Sequence, residues 1–210
     1  MADLHLTEDE QTERLKQWWK ENGTSVIAGA VLGIAVIGGV NYWRIYKNEQ
    51  AESAAGLYEQ VLQSQGNPES TAIGQRLIDE YSSTPYAGKA ALVLGSTAFE
   101  NENPDQARMH FEWALENAPD PADRKLARLR LARVELGRQE LDKVEQLLAG
   151  IPGGGYESEY RELLGDLAMA RNDPETAREE YRAALDALPE QSGFAEMLNM
   201  KLDAAIGASR

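Results

Sequence analysis

Residues 103–121, "NPDQARMHFEWALENAPDP", align without a gap to residues 173–191, "DPETAREEYRAALDALPEQ", at an offset of 70. Pro104 matches Pro174, Ala107 matches Ala177, and Arg108 matches Arg178. Phe111 then matches Tyr181, Ala114 matches Ala184, Leu115 matches Leu185, and Pro119 matches Pro189. Upstream, Leu94-Gly95 pairs with Leu164-Gly165 and Ala98 with Ala168. Fixed-period similarity constrains a fold more than composition does. Each copy must be one supersecondary unit that buries its apolar face only by stacking on its neighbours.

The offset is twice 35, close to the 34-residue tetratricopeptide period. Glycine at repeat position 8, alanine at 20 and 27, an aromatic at 24 and proline at 32 all fit that period. Small residues let paired helices touch, the aromatic fills the space between them, and proline stops the second helix. The middle copy is looser: Ala132, Val144, Leu148 and Ile151 stand in, and "LGRQELD" reads as a longer turn. Glu49 to Gln63 and Pro68 to Tyr81 read as an earlier helical pair, and "GFAEMLNMKLDAAIG" as a final capping helix. No stretch alternates with a period of two. The expected fold is all-α, a tetratricopeptide-like superhelix of helix hairpins over 44–210. Clear repeats are expected at about 88–121, 122–156 and 158–191, with a cap at about 193–206.

Ahead of the array, residues 22–43 form 22 consecutive residues without a charge. At 1.5 Å per residue they cover about 33 Å, enough for a hydrocarbon core of roughly 30 Å. Trp18 and Trp19 precede the stretch; Tyr42, Trp43 and Tyr46 follow it, and indole and phenol rings favour the headgroup layer. Six acids in the preceding 21 residues, and no small-x-small site after Val40, argue against a cleaved signal. Five glycines argue against a water-soluble core helix. The expectation is one retained transmembrane helix through the lipid bilayer, preceded by a tail at 1–21. Thr7 and Glu10 open a capping box there, and a tail helix runs from about Glu8 to Glu21. Gly29 and Gly33 form a GxxxG pair through which a second membrane helix can approach closely. Arg14, Lys16 and Lys20 before the span, against Arg44 and Lys47 after it, place the N-terminus inside by a narrow margin.

The chain carries 35 acids against 21 bases. A field of that sign repels nucleic acid and gives no attraction to anionic lipid. Cysteine is absent, which removes disulfides, zinc-thiolate sites and thiol nucleophiles. His5 and His110 are isolated, so no triad or metal set is expected, and neither catalysis nor a cofactor. Asn101, Asn103, Asp105 and Glu112 mimic a calcium loop, but Gln106 stands where the sharp turn needs glycine. "PGGGY" at 152–156 lacks the Lys-Ser or Lys-Thr of a phosphate loop and reads as an inter-repeat turn. The bases Arg124, Lys125, Arg128, Arg130, Arg133 and Arg138 form the one basic cluster, a candidate strip for an acidic partner surface.

Interaction is the function such arrays serve, and the first helix of each hairpin offers its inward positions to a partner. These positions are Lys89, Leu92, Ser96 and Phe99, then Leu126, Leu129, Arg133 and Leu136, then Glu159, Glu162, Asp166 and Met169. The expected groove runs from apolar and basic to acidic. It lacks the lysine and asparagine pair that clamps a terminal carboxylate, so an internal segment or folded partner is expected. Leu92, Phe99 and Arg133 are its expected anchors. A membrane-bound regulatory adaptor facing the cytoplasm is the alternative.

The tail "EDEQTERLKQWWKENG", the glycine-rich span, "YSSTPYAGKAAL", the repeats and "NMKLDAA" together resemble the YfgM family, ancillary subunits of the bacterial SecYEG translocon. The resemblance covers essentially the whole chain. It implies a single-pass inner-membrane protein with a cytoplasmic tail and a periplasmic tetratricopeptide domain. It also implies association with SecYEG and with PpiD, a membrane-anchored periplasmic chaperone, and assistance to exported proteins.

Overall fold

A computed structural model describes residues 8–150, 155–189 and 192–208. His5, Thr7, Ile151 and most of the "PGGGY" turn lie outside them, as does the capping-box pairing. Regular structure among the described residues is entirely helical. It comprises α1 (Glu8–Gln63), α2 (Pro68–Glu80), α3 (Pro85–Glu100), α4 (Pro104–Asn117) and α5 (Pro121–Gly137). Then come α6 (Leu141–Leu148), α7 (Glu157–Ala170), α8 (Pro174–Asp186) and α9 (Ala195–Ala208). The chain divides into two compact units, Met1–Glu49 and Gln50–Arg210.

The first helix, α1, corrects one expectation. A tail helix, a span and a helix from Glu49 were expected as separate pieces, yet the helix is unbroken from Glu8 to Gln63. The reason is that no proline lies between those residues to remove an amide or clash with the preceding turn. Val31, Leu32, Ile34 and Ile37 are all more than half exposed, the reverse of a helix in a soluble core. Among the described residues, α1 is the one helix long and apolar enough to cross a membrane. The Trp18 and Trp19 rings lie 6.4 Å apart before the span, and Lys47 Nζ sits 5.4 Å from the Trp43 ring after it. A Cβ on Gly29 or Gly33 would meet nothing within 4 Å among the described residues.

In the second unit, prolines at the first helical position open α2, α3, α4, α5 and α8, where a missing amide costs nothing. α3 pairs with α4, α5 with α6, and α7 with α8, while α3, α5 and α7 also touch in succession. Within hairpins the glycines admit aromatic rings. A Cβ on Gly95 would lie 2.5 Å from Phe111 Cε1, and one on Gly165 would lie 2.4 Å from Tyr181 Cε1. Both rings are buried, each contributing about 1.5–3 kcal/mol through removal from water. The apolar positions thus form clusters between helices: Ala98, Ala107, Phe111, Leu131 and Val134 in one place, Ala168, Ala177, Tyr181, Ala184 and Leu198 in another.

One turn recurs in all three hairpins. Glu102, Gln139 and Asn172 each take a left-handed backbone, with φ of 57°, 63° and 58°. The next residue's amide reaches back five positions: Asn103 to the Ala98 carbonyl (2.9 Å), Glu140 to Glu135 (3.0 Å), and Asp173 to Ala168 (2.9 Å). This closure satisfies carbonyls that the ending helix leaves unpaired. The same residue then begins the next helix, Asn103 Oδ1 accepting from the Gln106 amide and Asp173 Oδ1 from the Thr176 amide. The residues that mimicked a calcium loop are therefore a turn and a cap. "LGRQELD" is not the longer turn expected; it is the same turn, and α5 carries the extra length at its start.

His110 is the one buried histidine among the described residues, and burial holds its pKa below the ordinary value of 6.5. The folded chain therefore binds fewer protons than the unfolded one. His110 destabilises the fold as pH falls below about 6.5 and leaves it unaffected above that value. His110→Gln is expected to shrink the drop in melting temperature between pH 7 and pH 5. An unchanged drop would show that other groups carry it.

A candidate protein-interaction face

The common turn fixes the repeat register. Counting back from Glu102, Gln139 and Asn172 aligns Phe99 with Leu136 and Met169, and Ser96 with Arg133 and Asp166. It likewise aligns Leu92 with Leu129 and Glu162, and Lys89 with Leu126 and Glu159. The inward positions read from the sequence are thus equivalent places on α3, α5 and α7. What the side chains do there is less uniform.

At the first copy, Phe99 is 43% exposed and free to meet a partner. Leu92 is half-buried against two core clusters, and Ser96 is half-buried. Lys89 Nζ is engaged, donating to Asp123 Oδ1 (3.2 Å) and Oδ2 (3.1 Å). In the middle copy the expectation for Leu129 is overturned: at 3% exposure it is core, packed with Ala132, Val144, Leu148 and Leu163. Leucine at this place fills the seam between successive hairpins and cannot reach a ligand. Leu126 and Leu136 are half-buried.

Arg133 does not offer a free charge either. Its Nη2 donates to Glu162 Oε2 at 2.6 Å. Glu162 Oε1 accepts from Lys201 Nζ at 2.6 Å, and Lys201 also donates to Asp166 Oδ1 (2.8 Å) and Oδ2 (2.6 Å). Asp166 in turn accepts from the Tyr181 hydroxyl at 2.7 Å. Burial, reinforced by this bond and the neighbouring carboxylates, raises the Tyr181 pKa, so the phenol remains a donor. Two acids and two bases form one chain of contacts across α5, α7, α8 and α9. At the acidic end of the expected groove, Glu162 and Asp166 are therefore neutralised from within, while Glu159 stays exposed. Met169 is half-buried against the cluster of Ala177, Tyr181 and Leu198.

The expected basic strip is likewise largely spent inside the fold. Arg124 Nη1 donates to the Ala118 and Pro119 carbonyls, and Arg138 pairs with Asp105 at 2.6 Å. Arg133 is in the network just described. Arg130 is exposed, and Arg128 is half-buried. Three participants escaped the sequence reading. Lys201 and Tyr181 join the network, and Glu135 stands where the flanking copies place Ala98 and Ala168. It is 2% exposed, pairs with Arg108 at 3.1 Å and faces Lys143 at 3.8 Å. A glutamate at an alanine position was the signal available. Among the described residues no three acids or histidines gather as a metal set. What remains open is a face of packed helices, with Phe99, the half-buried Leu92 and the outer wall of α7 available for contact.

Comparison with known proteins agrees with this architecture. A family profile for the tetratricopeptide repeat-like domain matches residues 16–207. A Neisseria gonorrhoeae protein named ancillary SecYEG translocon subunit is 30% identical, covering 95% of this chain and 97% of the relative. Proteins of the same name from Haemophilus influenzae and Escherichia coli are 28% and 26% identical. They cover 94% and 96% of this chain and 97% and 98% of the relatives, respectively. No solved structure matches the chain.

Proposed function

The chain belongs to the YfgM family of ancillary SecYEG translocon subunits, and on that premise we propose that it is a membrane-tethered, non-catalytic scaffold at this translocon. In this reading α1 anchors it in the bacterial inner membrane, with the tail in the cytoplasm and the hairpin array in the periplasm. There the array would hold a PpiD-like chaperone beside the export channel and assist newly exported proteins. The observation that carries the reading is end-to-end similarity to three translocon subunits in a chain that joins one apolar helix to an interaction fold.

Co-purification from a mild detergent tests it. The full chain should retain SecYEG and the chaperone, and recovery of the chain alone would sink the proposal. Gly29→Ile with Gly33→Ile probes contact through the span, and Phe99→Ala probes contact through the array. Loss in the first but not the second would assign translocon contact to the membrane helix. Orientation is separately testable because the chain has no cysteine. A cysteine at exposed Asn199 should react with a membrane-impermeant thiol reagent once the outer membrane is permeabilised, and one at Glu13 should not. The reverse pattern would favour the cytoplasmic-facing adaptor.

A further inference from the structure

The first and third hairpins differ at one place where they should match. In the first, Gly88 sits tightly against Ala118; a Cβ there would lie 2.7 Å from the Ala118 Cβ. Seventy residues on, Ser158 and Leu188 occupy the equivalent positions. Neither can repeat that contact. Ser158 Oγ instead donates to the Ala184 carbonyl at 2.9 Å, and Leu188 is half-buried where Ala118 is fully so. A cavity of about 390 Å³ opens here between the start of α7, the end of α8 and the start of α9. Its apolar lining includes Leu188, Pro189, Met197 and Phe194, the last 63% exposed at this site.

The polar wall has one sign. Glu157, Glu159 and Glu162 line the cavity, and no lysine or arginine does among the described residues. Glu157 is held by Arg161 (2.8 Å), and Glu162 by Arg133 and Lys201. Glu159 is exposed and has no basic partner among the described residues. An apolar recess with one free carboxylate at its edge selects by shape and by charge.

We propose that this pocket binds a protein segment carrying a large apolar side chain next to lysine or arginine. The apolar side chain enters between Leu188, Met197 and Phe194, and the basic residue meets Glu159. This names the partner chemistry of the array and so rests on the scaffold reading above. An acidic segment is disfavoured by the same wall.

The test uses the full chain in nanodiscs of neutral lipid and a fluorescent peptide with two leucines between two lysines. Saturable binding is expected, lost when glutamates replace the lysines or serines replace the leucines. Glu159→Lys, an exposed change that leaves the core untouched, should weaken binding about tenfold, as should Leu188→Lys. Unchanged affinity in Glu159→Lys, or equal binding of the acidic peptide, would overturn the proposal. So would no binding at all. A chain that dimerises in sedimentation, with the dimer lost in Phe194→Ser, would show that a second copy occupies the pocket and would also refute it. SecYEG co-purification with the same variants separates the two readings: retention beside unaltered peptide binding refutes the pocket alone.

Discussion

Gly95→Ala is expected to destabilise the array by about 2 kcal/mol, and adding Phe111→Leu to the same chain is expected to restore most of that loss. The added Cβ would lie 2.5 Å from Phe111 Cε1, and the ring is 1% exposed. Phe111→Leu alone leaves a void and should cost about 1–2 kcal/mol. The pair should do better than the sum because the middle hairpin already uses it. In the register set by the common turn, Ala132 stands for the glycine and Leu148 for the ring, and both are buried. A favourable coupling of about 1–2 kcal/mol is expected, the range for residues in direct contact. Thermal melts of the full chain in nanodiscs would read it as a drop of several degrees in each single variant and a partial recovery in the double. Additive losses would mean that ring and glycine do not share one space.

Lys201→Ala should be the most damaging surface-side change. Its ammonium is the shared donor to Glu162 and Asp166, whose side chains are 8% and 18% exposed. Without it, among the described residues Asp166 keeps the Tyr181 hydroxyl and Glu162 keeps Arg133. Breaking a buried pair by removing one partner costs about 3–5 kcal/mol. Lys201 itself is partly solvated, so about 2–3 kcal/mol is the expected loss. Arg171→Ala is the matched control: among the described residues it pairs with exposed Asp142 and Glu145, and its loss should lower the melting temperature far less. Equal melting temperatures for the two variants would show that the network across α5, α7, α8 and α9 contributes nothing special.

The hairpin core was legible because its signals are local and spaced. Gly95, Ala107, Phe111 and Ala114, with their counterparts 70 residues later, announce small-against-large contacts inside one hairpin. Even the degenerate copy yielded Ala132, Val144 and Leu148 in the right places. The face was harder. Whether Leu129 lies outside or in the seam depends on how the next hairpin leans on it, and nothing near it in sequence records that. Arg133 and Glu162 are 29 residues apart, and Lys201 and Glu162 are 39 apart. A pairing over such distances leaves no periodic trace. The continuity of α1 was missed for a different reason: changes in composition at residues 21 and 44 look like boundaries, but backbone hydrogen bonding does not register them.

The recurrent turn has a consequence for how such a chain changes over generations. Its left-handed residues, Glu102, Gln139 and Asn172, are 37 and then 33 residues apart. The longer interval is absorbed at the free start of α5, ahead of the turn. Residues gained or lost at a free helix start leave the angular phase of everything downstream intact, whereas one inserted after the turn would rotate the second helix's apolar stripe away from its partner. Length variation should therefore accumulate between hairpins, while the turn-to-turn halves remain interchangeable cassettes. A chimera that exchanges the segments following Glu102 and Asn172 should fold, although the two share few surface residues.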